Sequence, residues 1–183
     1  MSNALVVIPT YNEIENIELL LRDIISLQRD FDVLVVDDNS PDGTSAVVDK
    51  VAKEFPNNIF LLKRTSKLGL GTAYIAGFKW ALKKQYDFIF EMDADFSHNP
   101  KDLLELYSAC ENENCDMAIG SGYAFQIEMK FKTYLSKFKI KEVPVIFTDR
   151  TKGASKMSKG IISEAIFGVL TMKLKSIFKI LDI

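Results

Sequence analysis

Short apolar runs that alternate with stretches of helical spacing constrain this chain more than any other feature. Residues 4–8, 33–36, 59–62 and 88–92 are each close to continuously apolar. Between them, Ile14, Ile17, Leu20, Leu21 and Ile24 recur at helical spacing, and residues 44–55 and 72–84 read as two further helices. A strand that is apolar throughout is buried on both faces, which is the condition of a parallel sheet with helices on either side. The handedness rule for crossovers then leaves a doubly wound, Rossmann-like α/β sheet as the expected topology. A fourth helix is expected over 100–111, with Pro100 near its first turn, and a short fifth strand over 117–119. Beyond Gly120 the pattern changes. Ala124, Ile127, Phe131, Tyr134, Leu135 and Phe138 fit one helix face, and 143–147 a further strand.

The 183 residues are 48% hydrophobic, enough for one domain with a sizeable core. A net charge of −2 gives no global argument for nucleic acid, and none is expected as a partner. Cys110 and Cys115 lie in a polar, acidic stretch with no second cysteine pair and no histidine at ligand spacing. That argues against a zinc site and fits a reduced, cytosolic setting better than a disulfide scaffold. The first residues run directly into an apolar strand without a basic leader, so they do not read as a signal peptide. No apolar run is long enough to span a bilayer, and a soluble or peripheral protein is expected.

Three strand ends carry unusual chemistry. In Phe90-Glu91-Met92-Asp93-Ala94-Asp95 two carboxylates sit one residue apart after an apolar strand. Period-two geometry turns both side chains the same way, at the end of the sheet where open α/β folds bind ligands. Two hard oxygen donors there suit Mg²⁺ or Mn²⁺ holding a diphosphate. The first strand leads into Pro9-Thr10-Tyr11-Asn12-Glu13, where Pro9 and Thr10 are expected to stop the strand. Tyr11 offers a ring for a nucleobase and Glu13 an acceptor, and a helix cap by Asn12 and Glu13 is the plainer alternative. The second strand ends in Asp37-Asp38-Asn39-Ser40-Pro41-Asp42-Gly43. Asp38 suits a ribose or base edge, and Asp37 a loop tie. Adjacent carboxylates leaving an apolar strand repel unless a cation or hydrogen-bond donor is near.

The segment from Arg64 to Tyr74 holds Gly69-Leu70-Gly71 ahead of a helix, which permits close backbone approach but is neither G-x-G-x-x-G nor a P-loop. His98 is the only histidine, so no Ser/His/Asp arrangement can be built, and a loop role is expected for it. Arg150 and Lys156 flank Gly153 and Ser155 in a basic loop suited to an anionic ligand, or to plain solvation.

With these residues in view, the chain resembles the dolichyl-phosphate mannosyltransferases, also called polyprenol monophosphomannose synthases, of glycosyltransferase family 2. The strings IPTYNE at 8–13, VVDDNSPDGT at 35–44, KLGLGTAYIAGFKWAL at 67–82, MDADFSHNP at 92–100, GYAFQIEM at 122–129 and FTDRTKGASKMS at 147–158 carry the resemblance, in the family's order. It implies a GT-A fold, a mostly parallel central sheet with helices on both faces. It also implies a metal-dependent, inverting enzyme that moves mannose from GDP-mannose to a polyprenyl or dolichyl monophosphate for glycan assembly. By the same resemblance Pro9, Tyr11, Glu13, Val36 and Asp38 hold the guanosine. Asp93, Ala94 and Asp95 hold metal and diphosphate, and Arg150 and Lys156 belong to a mobile phosphate-contacting loop. Catalysis then rests on Asp95, Asp93 and Arg150. Ser97 stands third after Asp93 and Asp95 as a metal ligand, where some relatives have glutamine. A lipid phosphate is already anionic at neutral pH, so attack on the sugar needs no strong base, in keeping with the lack of a catalytic histidine.

The implied layout is a catalytic domain over 1–160 and an amphipathic, membrane-interfacial helix over 161–183, where Lys173, Lys175 and Lys179 interrupt apolar residues. A core-packed or partner-docking tail is the alternative. The protein is expected at the cytosolic face of a membrane, with a membrane-anchoring subunit or domain as a compatible partner. One departure stands out. Family members continue from the fifth strand through several dozen residues before G-Y-A-F-Q-I-E-M, whereas here Ser121 meets Gly122 directly. The quality of the flanking match favours an omitted stretch over a true deletion, with a Ser121–Gly122 Cα separation beyond one peptide step as the sign of it. Two other readings remain open: a polyprenyl-phosphate glucosyltransferase using another sugar nucleotide, and a nucleotide-sugar-binding subunit without turnover.

Overall fold

Strands and helices alternate as β1 Ala4–Thr10, α1 Ile17–Ile25, β2 Asp32–Asp37, α2 Thr44–Glu54, β3 Ile59–Lys63, α3 Leu70–Lys83, β4 Phe88–Glu91, α4 Asp102–Asn112, β5 Met117–Gly120 and β6 Ile140–Val143. The computed structural model describes residues 2–112, 115–120, 133–134, 136–146 and 148. The Ser121–Gly122 junction, Arg150, Lys156 and the whole 161–183 tail lie outside the described residues.

The described residues form two compact units, one within Met1–Leu104 with Ile146 and Thr148, the other within Glu105–Val145. The first contains a four-stranded sheet of order β3-β2-β1-β4, and every neighbouring pair is parallel. Every residue of β1 and β2 is buried, as continuous apolar strands in the middle of a parallel sheet must be. Chain progress from β1 to β3 runs one way across the sheet, and the crossover through α3 returns to the far side of β1. With right-handed crossovers this places α1 and α2 on one face and α3 on the other. Ile17, Leu20, Leu21 and Ile24 of α1 are fully buried, at the spacing of one helical stripe. On the opposite face α3 comes unusually close, because a Cβ on Gly77 would stand 2.4 Å from Val7 Cγ1. The strand order reverses between β1 and β4, and that reversal is where open α/β sheets make their binding crevice.

The first strand does not stop at Pro9 and Thr10 as expected. It continues in register, Pro9 opposite Val36 and Thr10 opposite Asp37. Proline is tolerated because Val7, two residues earlier, turns its carbonyl to the β4 side, accepting the Met92 N–H at 3.2 Å. Pro9 therefore lacks its donor on that same side, beyond Glu91, where β4 has ended and no ladder bond is lost. The late strand covers Ile140–Val143, earlier than the expected 143–147, of which Phe147 lies outside the described residues. Within the second unit it pairs in parallel with β5, so among the described residues β5 belongs to a two-stranded sheet and is not an extension of the central one. Tyr134 and Phe138, expected on a helix's apolar face, are 72% and 55% exposed, with a turn between them at 136–137.

Candidate active site at the carboxyl ends of the strands

The loops after β1, β2 and β3 are laced together by acidic side chains. Asp37, last in β2 and fully buried, accepts hydrogen bonds from Thr10 Oγ1 at 2.9 Å, Ser40 Oγ at 2.5 Å, Ser45 Oγ at 2.6 Å and the Ser40 N–H at 3.0 Å. Burial alone raises its proton affinity, but these donors outweigh it and hold the carboxyl below its usual range. Asp42 does the same for the neighbouring loop, accepting from Thr44 Oγ1 at 2.6 Å, Thr44 N–H at 2.9 Å and Ile14 N–H at 3.1 Å. Burial pushes its carboxyl up, and the Thr44 hydroxyl and backbone donors bring the net shift down. The Asn12 N–H reaches Ser40 Oγ at 3.0 Å and the Glu13 N–H reaches Thr44 Oγ1 at 3.0 Å. Asn12 and Asn39 take left-handed backbone at φ +56° and +59°, which asparagine tolerates. Asn16, not Asn12, occupies the N-cap of α1, so the plain capping account of this segment does not hold.

Asp38 answers the question of how two adjacent carboxylates coexist. Its Oδ1 accepts from Arg64 Nε, and its Oδ2 from the N–H groups of Leu68 at 3.0 Å and Gly69 at 3.2 Å. Arg64 continues to Thr72 Oγ1 at 2.9 Å and the Gly69 carbonyl at 3.4 Å. Gly69 has φ +97°, a conformation open to glycine, and this lets its N–H and carbonyl serve both partners. The close backbone approach read from Gly69-Leu70-Gly71 is thus made, within the protein, to Asp38. The same loop sets Lys67 Nζ 4.2 Å from the centre of the Tyr11 ring, which joins the first and third strand ends.

The turn after β4 differs in character. Asp93 Oδ1 accepts the Tyr74 hydroxyl of α3 at 3.1 Å, and Asp95 Oδ1 accepts the Ser97 N–H at 3.0 Å. His98 accepts the Asp93 N–H at Nδ1 over 3.5 Å, a loop role as expected. Phe96 sits in the left-handed region at φ +61°, a conformation unfavourable for a bulky residue and of the kind held at functional turns. Its carbonyl accepts the Thr148 hydroxyl at 3.1 Å, and the Ser97 carbonyl accepts the Thr148 N–H at 3.2 Å. Thr148, two residues before Arg150 in the sequence, is thereby held against the turn that follows Asp95. Behind the turn, burial and the charge of Asp93 push the Glu91 carboxyl up to about 8.

The predicted residues Pro9, Tyr11, Glu13, Val36 and Asp38 therefore line one end of the sheet, and Asp93, Ala94, Asp95 and Ser97 the adjoining end across the strand reversal. Glu13, Asp38, Ala94, Asp95 and Ser97 are all at most 8% exposed. Sequence reading missed the roles of Arg64, Lys67, Tyr74, Glu91 and Thr148. The paired Asp37-Asp38 was a signal that a cation had to be near, but not which one. As for a cation, Asp93 and Asp95 set two hard carboxylate donors one residue apart at the strand end, which fits a divalent ion. Among the described residues no group of three or more ligating side chains occurs, so Asp93 and Asp95 would need a ligand's own oxygens and water to complete the coordination.

A parallel sheet whose carboxyl ends gather tied acidic loops on one side of the strand reversal and an Asp-x-Asp turn on the other describes an α/β protein with an acidic crevice at its strand ends. Residues 5–178 match the model of glycosyl transferase family 2, and the chain belongs to that family. It is 35% identical to a polyprenol monophosphomannose synthase of Mycolicibacterium smegmatis, covering 90% of this chain and 84% of that protein. It is 36% identical to an undecaprenyl-phosphate mannosyltransferase of Micrococcus luteus, covering 90% and 91%. The fold is similar to that of Staphylococcus aureus TarS residues 1–349, with a TM-score of 0.51 and 25% identity over 67% of this chain and 37% of that one.

Proposed function

We propose that this glycosyltransferase moves mannose from GDP-mannose to a polyprenyl monophosphate, with inversion. The observation that carries the reading is the placement of Asp93 and Asp95 beside the Tyr11–Asp38 end of the sheet, within a family whose two similar relatives bear mannosyl-transfer names. Tyr11 and Asp38 take the nucleoside, and Asp93 and Asp95 hold Mg²⁺ or Mn²⁺. The ion supplies charge neutralisation at the diphosphate. Tyr74 and the Ser97 N–H fix the two carboxylates in place before substrate arrives. Arg150, by two-point contact, and Lys156, as a point charge, bind phosphate oxygens. The acceptor phosphate attacks without a general base.

The test is incubation with a panel of radiolabelled sugar nucleotides, polyprenyl phosphate and Mg²⁺ or Mn²⁺, followed by lipid extraction. Label carried into lipid from GDP-mannose alone supports the reading; label from a glucose donor moves it to the glucosyl relative. One observation favours a second reading, a nucleotide-sugar-binding subunit without turnover. Both alignments run over 225 residues, more than the 183 of this chain, so the relatives carry positions with no counterpart here. Nucleotide binding without labelled lipid would establish it.

Membrane contact belongs to the same proposal. Among the described residues no helix is long and apolar enough to cross a membrane. The 161–183 segment, with its interspersed lysines, is proposed to lie on the cytosolic surface of an anionic bilayer. Flotation with anionic vesicles, comparing the chain with a folded truncation after Lys159, tests this, and equal flotation removes the segment from the account.

A further inference from the structure

The chain has only two cysteines, and sequence reading left them without a role. In the second unit the fold brings them together. Cys110 lies near the carboxyl end of α4 and Cys115 just ahead of β5, and their sulfurs stand 3.5 Å apart. Cys115 Sγ is also 3.2 Å from the Ala109 carbonyl, which directs the thiol back toward the helix end. Both thiols are free and half-buried. Two sulfurs at this separation are in contact and must close by about 1.5 Å to bond, and no other cysteine competes for either. We propose that Cys110 and Cys115 form an oxidisable dithiol, a modification site that closes to an intramolecular disulfide by exchange with a small-molecule disulfide.

The exchange runs in two steps. A thiolate attacks one sulfur of the external disulfide, glutathione disulfide for instance, forming a mixed disulfide and expelling one glutathione thiolate. The second cysteine gives its proton to solvent, attacks the mixed disulfide and expels the second glutathione thiolate. The protein loses two electrons and two protons, and the external disulfide becomes two thiols. Burial, the Cys115 thiol and its charge push Cys110 up to about 11, so Cys110 keeps its proton longer and acts as the resolving thiol. Closure would tie the end of α4, which follows the Asp-x-Asp turn in the chain, to the first strand of the second unit.

Oxidised glutathione on the native full chain, followed by alkylation and mass spectrometry, tests the site. The wild type is expected to lose two hydrogens in mass, remain monomeric, resist alkylation at both cysteines and recover with dithiothreitol. Cys110→Ser is expected to stop at a glutathione adduct on Cys115, and Cys115→Ser to leave Cys110 mostly open to alkylation. Circular dichroism of each variant shows whether it is folded. A wild type that carries two glutathione adducts, forms covalent dimers, stays fully alkylatable, or closes only in denaturant overturns the proposal.

Discussion

The loops that close β1, β2 and β3 and the turn that follows β4 present the same kind of residue, a carboxylate at a strand end, in opposite electrostatic conditions. On the first side each carboxylate has donors built into the fold: hydroxyls and an amide for Asp37, Arg64 and two amides for Asp38. On the second side negative groups crowd together, and Glu91 is pushed up to about 8 by burial and by Asp93. One side is a scaffold whose charge is balanced within the chain. On the other, Asp93 accepts the Tyr74 hydroxyl and Asp95 the Ser97 N–H, both neutral donors, and the proposed function assigns them the cation. Removing Asp37, which ties loops together, should therefore cost stability, and removing Asp95 should cost activity.

Asp95→Ala probes the second side and should have the largest effect. Loss of an oxygen donor at the developing diphosphate charge is expected to lower turnover by about 10²–10³-fold, with the melting temperature unchanged. Turnover like that of the wild type would dissolve the distinction. Next comes Arg64→Met on the first side, which leaves the nearly buried Asp38 carboxylate without its cation; chemical denaturation should show a loss of about 3 kcal/mol. A neutral result would mean that the Leu68 and Gly69 amides suffice.

Asp37→Asn sharpens the comparison through pH. A carboxyl held below its usual 3.8 in the fold contributes stability that is complete above that value and is lost as pH falls through the folded value. The variant is expected to be less stable by about 1–3 kcal/mol at pH 7. The gap should stay constant down to about pH 5 and narrow below pH 4. A gap independent of pH would assign the loss to shape and not to charge. The smallest effect is expected for Lys67→Ala, where removing an exposed cation from the Tyr11 ring should change stability by less than about 1 kcal/mol in thermal melts.

The legible part of the molecule was the part governed by local pattern. Apolar runs placed β1 to β4 and their three helices to within a few residues, because the strands of a parallel sheet pack against helices and are written in apolar residues. These are wholly buried in β1 and β2 and mostly half-buried in β3 and β4. Where the pattern was weak the reading slipped. Pro9 looked like a stop, and only the earlier end of β4 beside it makes a proline harmless there. Beyond Gly120 the apolar spacing points to a helix face that includes Tyr134 and Phe138, yet both are exposed, and β6 begins earlier than the expected 143. Asp93 and Asp95 were legible because their spacing and position after a strand say what they can bind. Arg64, Tyr74 and Thr148 were not, since their partners lie 26, 19 and 52 residues away and nothing in their neighbours marks them.

The sequence by itself determined the class of sheet, the family, and the carboxylates on which chemistry depends, because hydrophobic period and short motifs are local properties. Only the tertiary structure decided which groups satisfy those carboxylates, that Thr148 bonds to Phe96 and Ser97 beside the Asp-x-Asp turn, and that Cys110 and Cys115 face each other. Such pairings are set by how strands register and helices pack. A chain read one residue at a time carries no record of which distant donor will arrive within 3 Å of a buried acceptor.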